Sequence, residues 1–226
     1  MSPPTVAGRS DGVQARDRLL QAALRLFAAK GFERTSIRDI ASAAGANVSA
    51  VGYYFSDKAG LYRAAFFEPI GEQCQASLPE PGSVPLPVMM HGFFRAFLQP
   101  LKQGESVQQV MRLHFREIVE PTGLWTELIE TEIRPQHEAL LRVLVAEFGL
   151  RQADVELQRL TFSIIGMAIH FFVAQDIVQA IAPEVMDGPE AIDALAQQLA
   201  NGSLAMIEAE RQRRATLPRP ERRGAR

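Results

Sequence analysis

The sequence predicts an all-α protein in which an N-terminal unit of three helices precedes a larger helical domain. Apolar residues recur at steps of three and four residues, the spacing that gathers them on one face of a helix, and no long stretch alternates with a period of two. Four prolines and one glycine in LPEPGSVPLP, residues 78–87, cannot continue a helix. We therefore expect a break there between two groups of helices.

Composition and breakers together predict four segments. A hydrophobic fraction of 47% in 226 residues is enough for one or two cores and too high for a disordered chain. We expect a flexible arm at 1–12, the three-helix unit at 13–62, the larger domain at 63–214 and a flexible basic tail at 215–226.

The first helix is predicted by an apolar stripe in RDRLLQAALRLFAAKGF. Leu20, Ala23, Leu24 and Phe27 share one face. Gly31 follows as a stop, because glycine adopts the left-handed conformation that ends many helices.

Two short helices follow, separated by a turn of four residues. Thr35 or Ser36 can cap the second helix, and Gly45 makes the turn after it. Asn47 caps the third helix, and Ser56 or Asp57 caps a fourth. The residues expected to face inward are Ile37, Ile40, Ala41, Ala44, Val51, Phe55, Leu61, Ala65 and Phe66.

This pattern is that of a helix-turn-helix, whose second helix presents exposed N-terminal residues to base edges in the major groove of DNA. Tyrosine hydroxyls and Lys58 crowd the far end of the third helix, where such groups can reach backbone phosphates. Three-helix units with a glycine turn also occur without DNA binding, so the pattern alone leaves a purely structural unit open.

Charge is segregated along the chain in a way that favours the DNA-binding interpretation. Residues 1–63 carry a net charge of +4, residues 64–210 a net charge of −12 and residues 211–226 a net charge of +6. A basic head followed by an acidic body indicates an anionic partner for the head.

The segment AALRLFAAKGFERTSIRDIASAAGANVSAVGYYFSDKAGLY resembles the DNA-binding domain of TetR-family transcriptional regulators, from about Arg16 to Tyr62. The resemblance implies that Arg38 reaches a base edge and that Val48 and Ser49 lie at the groove floor. It also implies that Tyr54 and Lys58 contact backbone phosphates. Gly52 departs from the family, which usually has a DNA-contacting tyrosine there. The predicted DNA-binding residues are Ser36, Arg38, Asn47, Val48, Ser49, Tyr53, Tyr54 and Lys58.

The rest of the chain is predicted to be helical near residues 86–102, 106–119, 123–149, 153–181 and 189–214. HFREIVEPTGLW and ETEIRPQHEALLRVL resemble the CecR-type regulatory domain. That resemblance implies a small effector bound in a helical pocket and dimerisation through the last two long helices.

Aromatic and methionine density marks candidate effector-binding residues, since ligand cavities are mostly apolar with a few polar groups. Each of these side chains, taken singly, fits a core position as well. Arg116 and Glu117, beside the same stretch, can pair with each other, orient a ligand or form a solvated ion pair. The candidates are Phe93, Phe94, Phe97, Met111, His114, Phe115, Trp125, Met167, His170 and Phe171.

Catalytic and metal signatures are absent from the sequence. The four histidines form no HxxxH or HExxH pair, Cys74 is the only cysteine, and no glycine-rich phosphate loop or GxSxG elbow occurs. We expect no enzyme activity, no metal and no cofactor. The longest nearly apolar run, Leu160 to Ala174, is shorter than the roughly 20 residues that cross a bilayer. With no secretion signal at the start either, we expect a cytoplasmic protein without membrane contact.

The combined expectation is a ligand-responsive transcriptional repressor. It binds a near-palindromic double-stranded DNA operator as a homodimer and is released by a small, largely apolar effector. The alternative is a helical small-molecule-binding or scaffold protein without specific DNA binding, with an enzyme in third place.

Overall fold

The computed structural model describes residues 7–69, 78–103 and 105–216. These residues form helices and loops and no strand, which confirms the all-α prediction. Eleven α-helices lie in them: α1 Ala7–Lys30, α2 Ile37–Ala43, α3 Val48–Phe55, α4 Lys58–Phe67, α5 Leu86–Phe97, α6 Glu105–Val119, α7 Trp125–Leu128, α8 Arg134–Glu147, α9 Val155–Val173, α10 Gln175–Ile181 and α11 Gly188–Thr216.

The short helices of the N-terminal region start at side chains that accept hydrogen bonds from the first turn. At α2, the Asp39 amide donates to Ser36 Oγ at 3.1 Å and the Ser36 amide donates to Asp39 Oδ2 at 3.4 Å, a capping box. At α3 the Ser49 amide donates to Asn47 Oδ1 at 2.9 Å. Asp57 caps α4, whereas Ser56 is the C-cap of α3, with a φ of 69°.

Two compact units divide the chain. The first comprises residues 1–76, 99–135 and 172–175. In it α1 packs on α2, α4 and α6, and α6 also packs on α4. Thr35 is buried there and its Oγ1 donates to the carbonyl oxygens of Leu26 and Gly31, which closes the C-terminal end of α1. The core of this unit includes Leu19, Leu24, Phe27, Ile40, Val51, Phe55, Leu61 and Phe66.

The second unit comprises residues 77–98, 136–171 and 176–226, and α5 packs against α11 within it. Ion pairs join the end of α11 to the last residue of α8 and to the segment that follows α8. Arg211 pairs with Glu147 at 2.5 Å and Arg214 pairs with Asp154 at 2.8 Å. The Arg214 guanidinium also lies 5.2 Å from the centre of the Phe148 ring.

Several predicted helix bounds are wrong, because helical periodicity continues through short breaks. The helix predicted at 86–102 ends at Phe97 and a 3₁₀ turn follows at Gln99–Lys102. The helix predicted at 123–149 is α7, a π-helical turn at Ile129–Ile133 and α8. The helix predicted at 153–181 is α9 and α10, which bend by 71° at a break.

The ends of the chain also differ from the prediction. Within the predicted arm at 1–12, Ala7 to Gly12 form the start of α1, and residues 1–6 lie outside the described residues. At the other end, α11 runs to Thr216, and the rest of the predicted tail lies outside the described residues, as does Cys74. Among the described helices, none is by itself both long and apolar enough for a bilayer; only the bent pair of α9 and α10 has the required length and composition.

Candidate nucleic-acid interface

The exposed surface of α3 is its N-terminal turn and one face. Val51 and Phe55 are buried in the core of the first unit. Val48, in the first turn of the helix, is 46% exposed, and Tyr53, on the side opposite Val51 and Phe55, is 82% exposed. Tyr53 thus presents a hydroxyl that can donate or accept a hydrogen bond with a partner.

The predicted residues of α2 lie on its exposed side. Arg38 is exposed and makes no ion pair with any residue that the structure describes. Its guanidinium can donate two hydrogen bonds to O6 and N7 of one guanine. The Ser36 hydroxyl already accepts the Asp39 amide, so its observed role is to start α2 in register.

Tyr53 and Tyr54 stand edge to face at the end of α3, with ring centres 4.8 Å apart. Tyr54 is half-buried. Its hydroxyl lies close to Gly12 of α1, where an added Cβ atom would be 3.4 Å from the oxygen. The two hydroxyls are therefore in different environments, and Tyr53 is the freer of the two to contact a partner.

Lys58 has partners within its own unit. Its Nζ lies 4.3 Å from the centre of the Phe32 ring and 3.5 Å from the carbonyl oxygen of Glu33. A phosphate contact from Lys58 therefore requires the ammonium group to leave a cation–π contact and a long hydrogen bond, both of which are weak at an exposed site.

Sequence reasoning missed two arginines of α1 that hold the interface in place. Arg16 donates to both carboxylate oxygens of Glu68, at 3.0 and 2.6 Å, and lies 4.9 Å from the centre of the Phe55 ring. The hydrogen bonds to Glu68 raise the pKa of Arg16. Arg18 Nε donates at 3.3 Å to the carbonyl oxygen of Ala44. The net positive charge of residues 1–63 was the sequence signal for these arginines. Charge alone does not distinguish an arginine that supports the fold from one that binds DNA.

The candidate effector residues of the second unit lie on α5 and α9. Phe93 and Phe94 are buried, with ring centres 5.1 Å apart. Phe97 is half-buried and its ring centre is 5.7 Å from that of Phe93. On α9, Met167 and Phe171 are half-buried and His170 is exposed.

The other candidates belong to the first unit, where His114 is the most deeply buried of them. Its Nδ1 lies 2.8 Å from the Val110 carbonyl oxygen and its ring centre lies 4.0 Å from that of Phe66. Burial lowers the pKa of His114 to about 4, so the ring is neutral at pH 7. With Nδ1 donating to Val110, Nε2 is a buried acceptor without a hydrogen-bond partner. Met111 and Trp125 pack against the core of the first unit. The ring centre of Phe115 lies 6.0 Å from that of Phe172.

Arg116 and Glu117 do not pair with each other. Arg116 donates to Glu120 at 2.9 Å and to the Ala29 carbonyl oxygen at 3.2 Å. Glu117 is fully buried and accepts hydrogen bonds from the Tyr62 hydroxyl at 3.0 Å and from the Thr122 amide at 2.7 Å. Burial and the neighbouring carboxylate raise the pKa of Tyr62, which keeps its hydroxyl protonated.

A cleft of about 500 Å³ opens beside this polar cluster in the first unit. Its walls come from the turn after α1, from α4 and from the C-terminal end of α6. Among the residues that the structure describes, no three His, Cys, Asp or Glu side chains are placed to hold a metal ion. The cleft is lined by Phe32, Glu33, Arg34, Tyr62, Arg116, Glu120, Pro121 and Thr122.

Two family profiles match the chain. The profile of the bacterial regulatory proteins of the tetR family matches residues 19–65. The profile of the C-terminal domain of the HTH-type transcriptional dual regulator CecR matches residues 88–209. These matches confirm both resemblances that the sequence motifs indicated.

Individual proteins agree with the profiles. The HTH-type transcriptional dual regulator CecR of Shigella flexneri is 28% identical over 179 residues, 74% of this chain and 79% of that protein. The probable HTH-type transcriptional regulator YttP of Bacillus subtilis (strain 168) is 26% identical over 145 residues, 63% of this chain and 68% of that protein. In fold, the TetR family transcriptional regulator PfmR from Thermus thermophilus superposes with a TM-score of 0.60 at 18% identity, covering 84% of this chain and 98% of that one.

Proposed function

The chain belongs to the TetR family of transcriptional regulators and carries a CecR-type C-terminal domain, and we propose that it is a ligand-responsive repressor. In this proposal a homodimer binds a near-palindromic DNA operator in the cytoplasm, and a small, largely apolar effector releases it. Regulators of this family are generally not enzymes.

The observation that carries the proposal is the presentation of α3. Its start is held by the Asn47 cap and its inner face by Val51 and Phe55, so the position of the N-terminal turn is set by the head itself. The exposed Val48 and Ser49 then meet base edges. Arg38 reads a guanine from α2, and Tyr53 supplies a phosphate contact from the end of α3.

Dimerisation is supported by apolar surface on α9. Val155 is 59% exposed and Phe162 is 65% exposed, and Gly166 on the same side of the helix permits close approach of a second backbone. A symmetric pair of such helices would place two α3 helices against half-sites about one helical turn of DNA apart. The expected operator is therefore close to a palindrome.

The effector-binding candidates supply apolar surface that the core only partly covers. Phe97, Phe115 and Phe171 are half-buried, as are Met111 and Met167. The unpartnered Nε2 of His114 adds one polar acceptor in an apolar setting. Within the first unit, Met111, Phe115 and the Nε2 atom of His114 suit an apolar effector that carries a hydrogen-bond donor.

The decisive experiment captures genomic fragments with the purified protein and then screens compounds for release of the captured DNA. On the operator so found, Arg38→Ala should weaken binding by about 1 to 3 kcal/mol and relax the preference at one base pair. Lys58→Ala should weaken operator and unrelated DNA alike. Capture of no enriched sequence would favour a helical binding or scaffold protein that has kept the head without using it.

Calorimetry tests the effector half of the proposal. If effector weakens operator binding, then operator must weaken effector binding by the same factor, and we expect a coupling of about 1 to 3 kcal/mol. Phe115→Ala should alter the dose of effector that frees the DNA while leaving operator affinity without effector nearly intact. Equal effector affinities for free and operator-bound protein would contradict the allosteric account.

A further inference from the structure

Arg18 is an exposed residue of α1 whose side chain reaches the turn between α2 and α3. Its Nε donates at 3.3 Å to the carbonyl oxygen of Ala44. Ala44 is the C-cap of α2 and stands three residues before Asn47, the N-cap of α3. The last carbonyl groups of a helix have no intrahelical donor, so a guanidinium stabilises this end of α2. Arg18 therefore holds the turn that leads into α3.

This hydrogen bond occupies one of the five N–H groups of the guanidinium. The two terminal nitrogens of Arg18 make no hydrogen bond and no ion pair with any residue in 7–69, 78–103 or 105–216. Because Arg18 is exposed, these two nitrogens are available to a partner beside the turn.

We propose that Arg18 binds DNA in addition to the residues of α2 and α3. Its Nε atom holds the α2–α3 turn while its Nη groups bind one backbone phosphate beside α3. The inference rests on the proposed function of α3. In helix-turn-helix proteins the N-terminal end of the second helix contacts base edges, so the preceding turn comes close to the groove. A planar guanidinium matches phosphate oxygens with two parallel hydrogen bonds.

The dual role requires an arginine. A lysine at position 18 would keep the positive charge, but its single ammonium group lacks the fixed fork that serves the Ala44 carbonyl and a phosphate together. Arg25 provides a matched control, because it is also an exposed arginine of α1, seven residues further along the helix, and lies on the same side.

The test is to titrate a fluorescently labelled DNA duplex of mixed sequence with the full chain. Fluorescence anisotropy measures binding at several salt concentrations. A mixed sequence suffices because phosphate contacts do not depend on base identity. Each phosphate contact contributes about 0.9 to the slope of log affinity against log salt. We expect Arg18→Gln to lower this slope by about 1 for each head on the duplex, and so by about 2 for the proposed homodimer, and to weaken binding roughly tenfold for each head at low salt. Arg18→Lys should keep most of the slope but bind less tightly than the wild-type chain, and Arg25→Gln should keep the wild-type slope.

Three outcomes would overturn the inference. An equal loss of slope in Arg18→Gln and Arg25→Gln would mean that only the net charge of α1 matters. An unchanged slope in Arg18→Gln, with weaker resistance to urea, would reduce Arg18 to a cap of α2. If the wild-type chain binds no duplex at all, the proposed function fails together with this inference, whereas the first two outcomes leave DNA binding by the head intact.

Discussion

Gly60 is a position in the head at which the backbone leaves no room for a side chain. A Cβ atom there would lie 2.0 Å from the carbonyl oxygen of Phe55 and 3.2 Å from its carbonyl carbon. Both atoms belong to the backbone at the end of α3, so they cannot move aside without moving the helix. At Gly52, on α3 itself, an added Cβ atom would meet no other atom within 4 Å.

We predict that Gly60→Ala lowers the free energy of unfolding by about 3 kcal/mol, because overpacking against backbone is not relieved by rotamer changes. Gly52→Ala should raise it by up to about 1 kcal/mol, because alanine is the better helix former. Urea unfolding followed by circular dichroism measures both. Similar effects of the two substitutions would contradict the steric account.

His114 makes stability depend on pH in a defined window. Burial holds the pKa of His114 near 4 in the folded chain, below its ordinary value of 6.5. The unfolded chain therefore binds the proton more readily, and this histidine destabilises the fold as pH falls from 6.5 to about 4. The full effect is roughly 3 kcal/mol, with no contribution above that window.

We predict that His114→Leu removes this part of the pH dependence. Leucine keeps an apolar contact with Phe66 and takes away the unpartnered Nε2, so the variant should lose little stability at neutral pH. Urea unfolding of both proteins at a series of pH values from neutral to acidic gives the comparison. Parallel curves across the window would show that His114 does not titrate there.

At the scale of elements, α4 and α6 are joined by a buried hydrogen-bonded group in the first unit. The Tyr62 hydroxyl of α4 donates to the Glu117 carboxylate of α6, which also accepts from Thr122. A second link joins α4 to α7, where Arg63 pairs with Glu127 at the surface. The two links differ in exposure, since Glu117 is fully buried and the Arg63 side chain is 52% exposed.

We predict that Tyr62→Phe lowers the free energy of unfolding by about 1 to 2 kcal/mol, because a buried carboxylate loses a donor and gains no water. Glu127→Gln should have a clearly smaller effect, since solvent screens an exposed ion pair. Thermal and urea unfolding of both variants give the ranking. The reverse ranking would mean that the surface pair, not the buried group, fastens α4.

At the scale of the whole molecule, the proposed dimer depends on the exposed face of α9. Phe162 is 65% exposed. Covering so large an apolar side chain with a second copy of the chain would lower the free energy of the dimer. Val88 on α5 is 58% exposed and offers a control at similar exposure.

We predict that Phe162→Asp shifts the protein from dimer toward monomer at micromolar concentration, whereas Val88→Asp leaves the dimer intact. The reason is that a carboxylate in an apolar interface must lose its hydration without gaining a partner. Sedimentation equilibrium measures both variants against the wild-type chain. A wild-type chain that sediments as a monomer, or an undisturbed dimer in Phe162→Asp, would contradict the assignment of this face.

The sequence by itself determined the features that depend on neighbours within a few residues. Helical periodicity predicted the all-α fold, and the cap at Asn47 followed from its residue type next to an apolar run. For α2 and α4 the residue types left two neighbouring candidates each, of which the structure selects Ser36 and Asp57. Family resemblance then identified α2 and α3 as the helix-turn-helix and the later helices as a CecR-type domain. Periodicity and caps can be read from the sequence because capping and side-chain spacing act over at most four or five residues.

Only the tertiary structure decided which side chains meet across the chain. Arg18 lies 26 residues from Ala44, Lys58 lies 25 residues from Glu33, and Tyr62 lies 55 residues from Glu117. Periodicity also missed the break between α9 and α10, since neither proline nor glycine marks it. It could not distinguish Phe94, buried in the core, from Phe97, which is half-buried three residues later. The physical reason is that a helix pattern shows which face is apolar, whereas burial and hydrogen-bond partners depend on how distant helices pack.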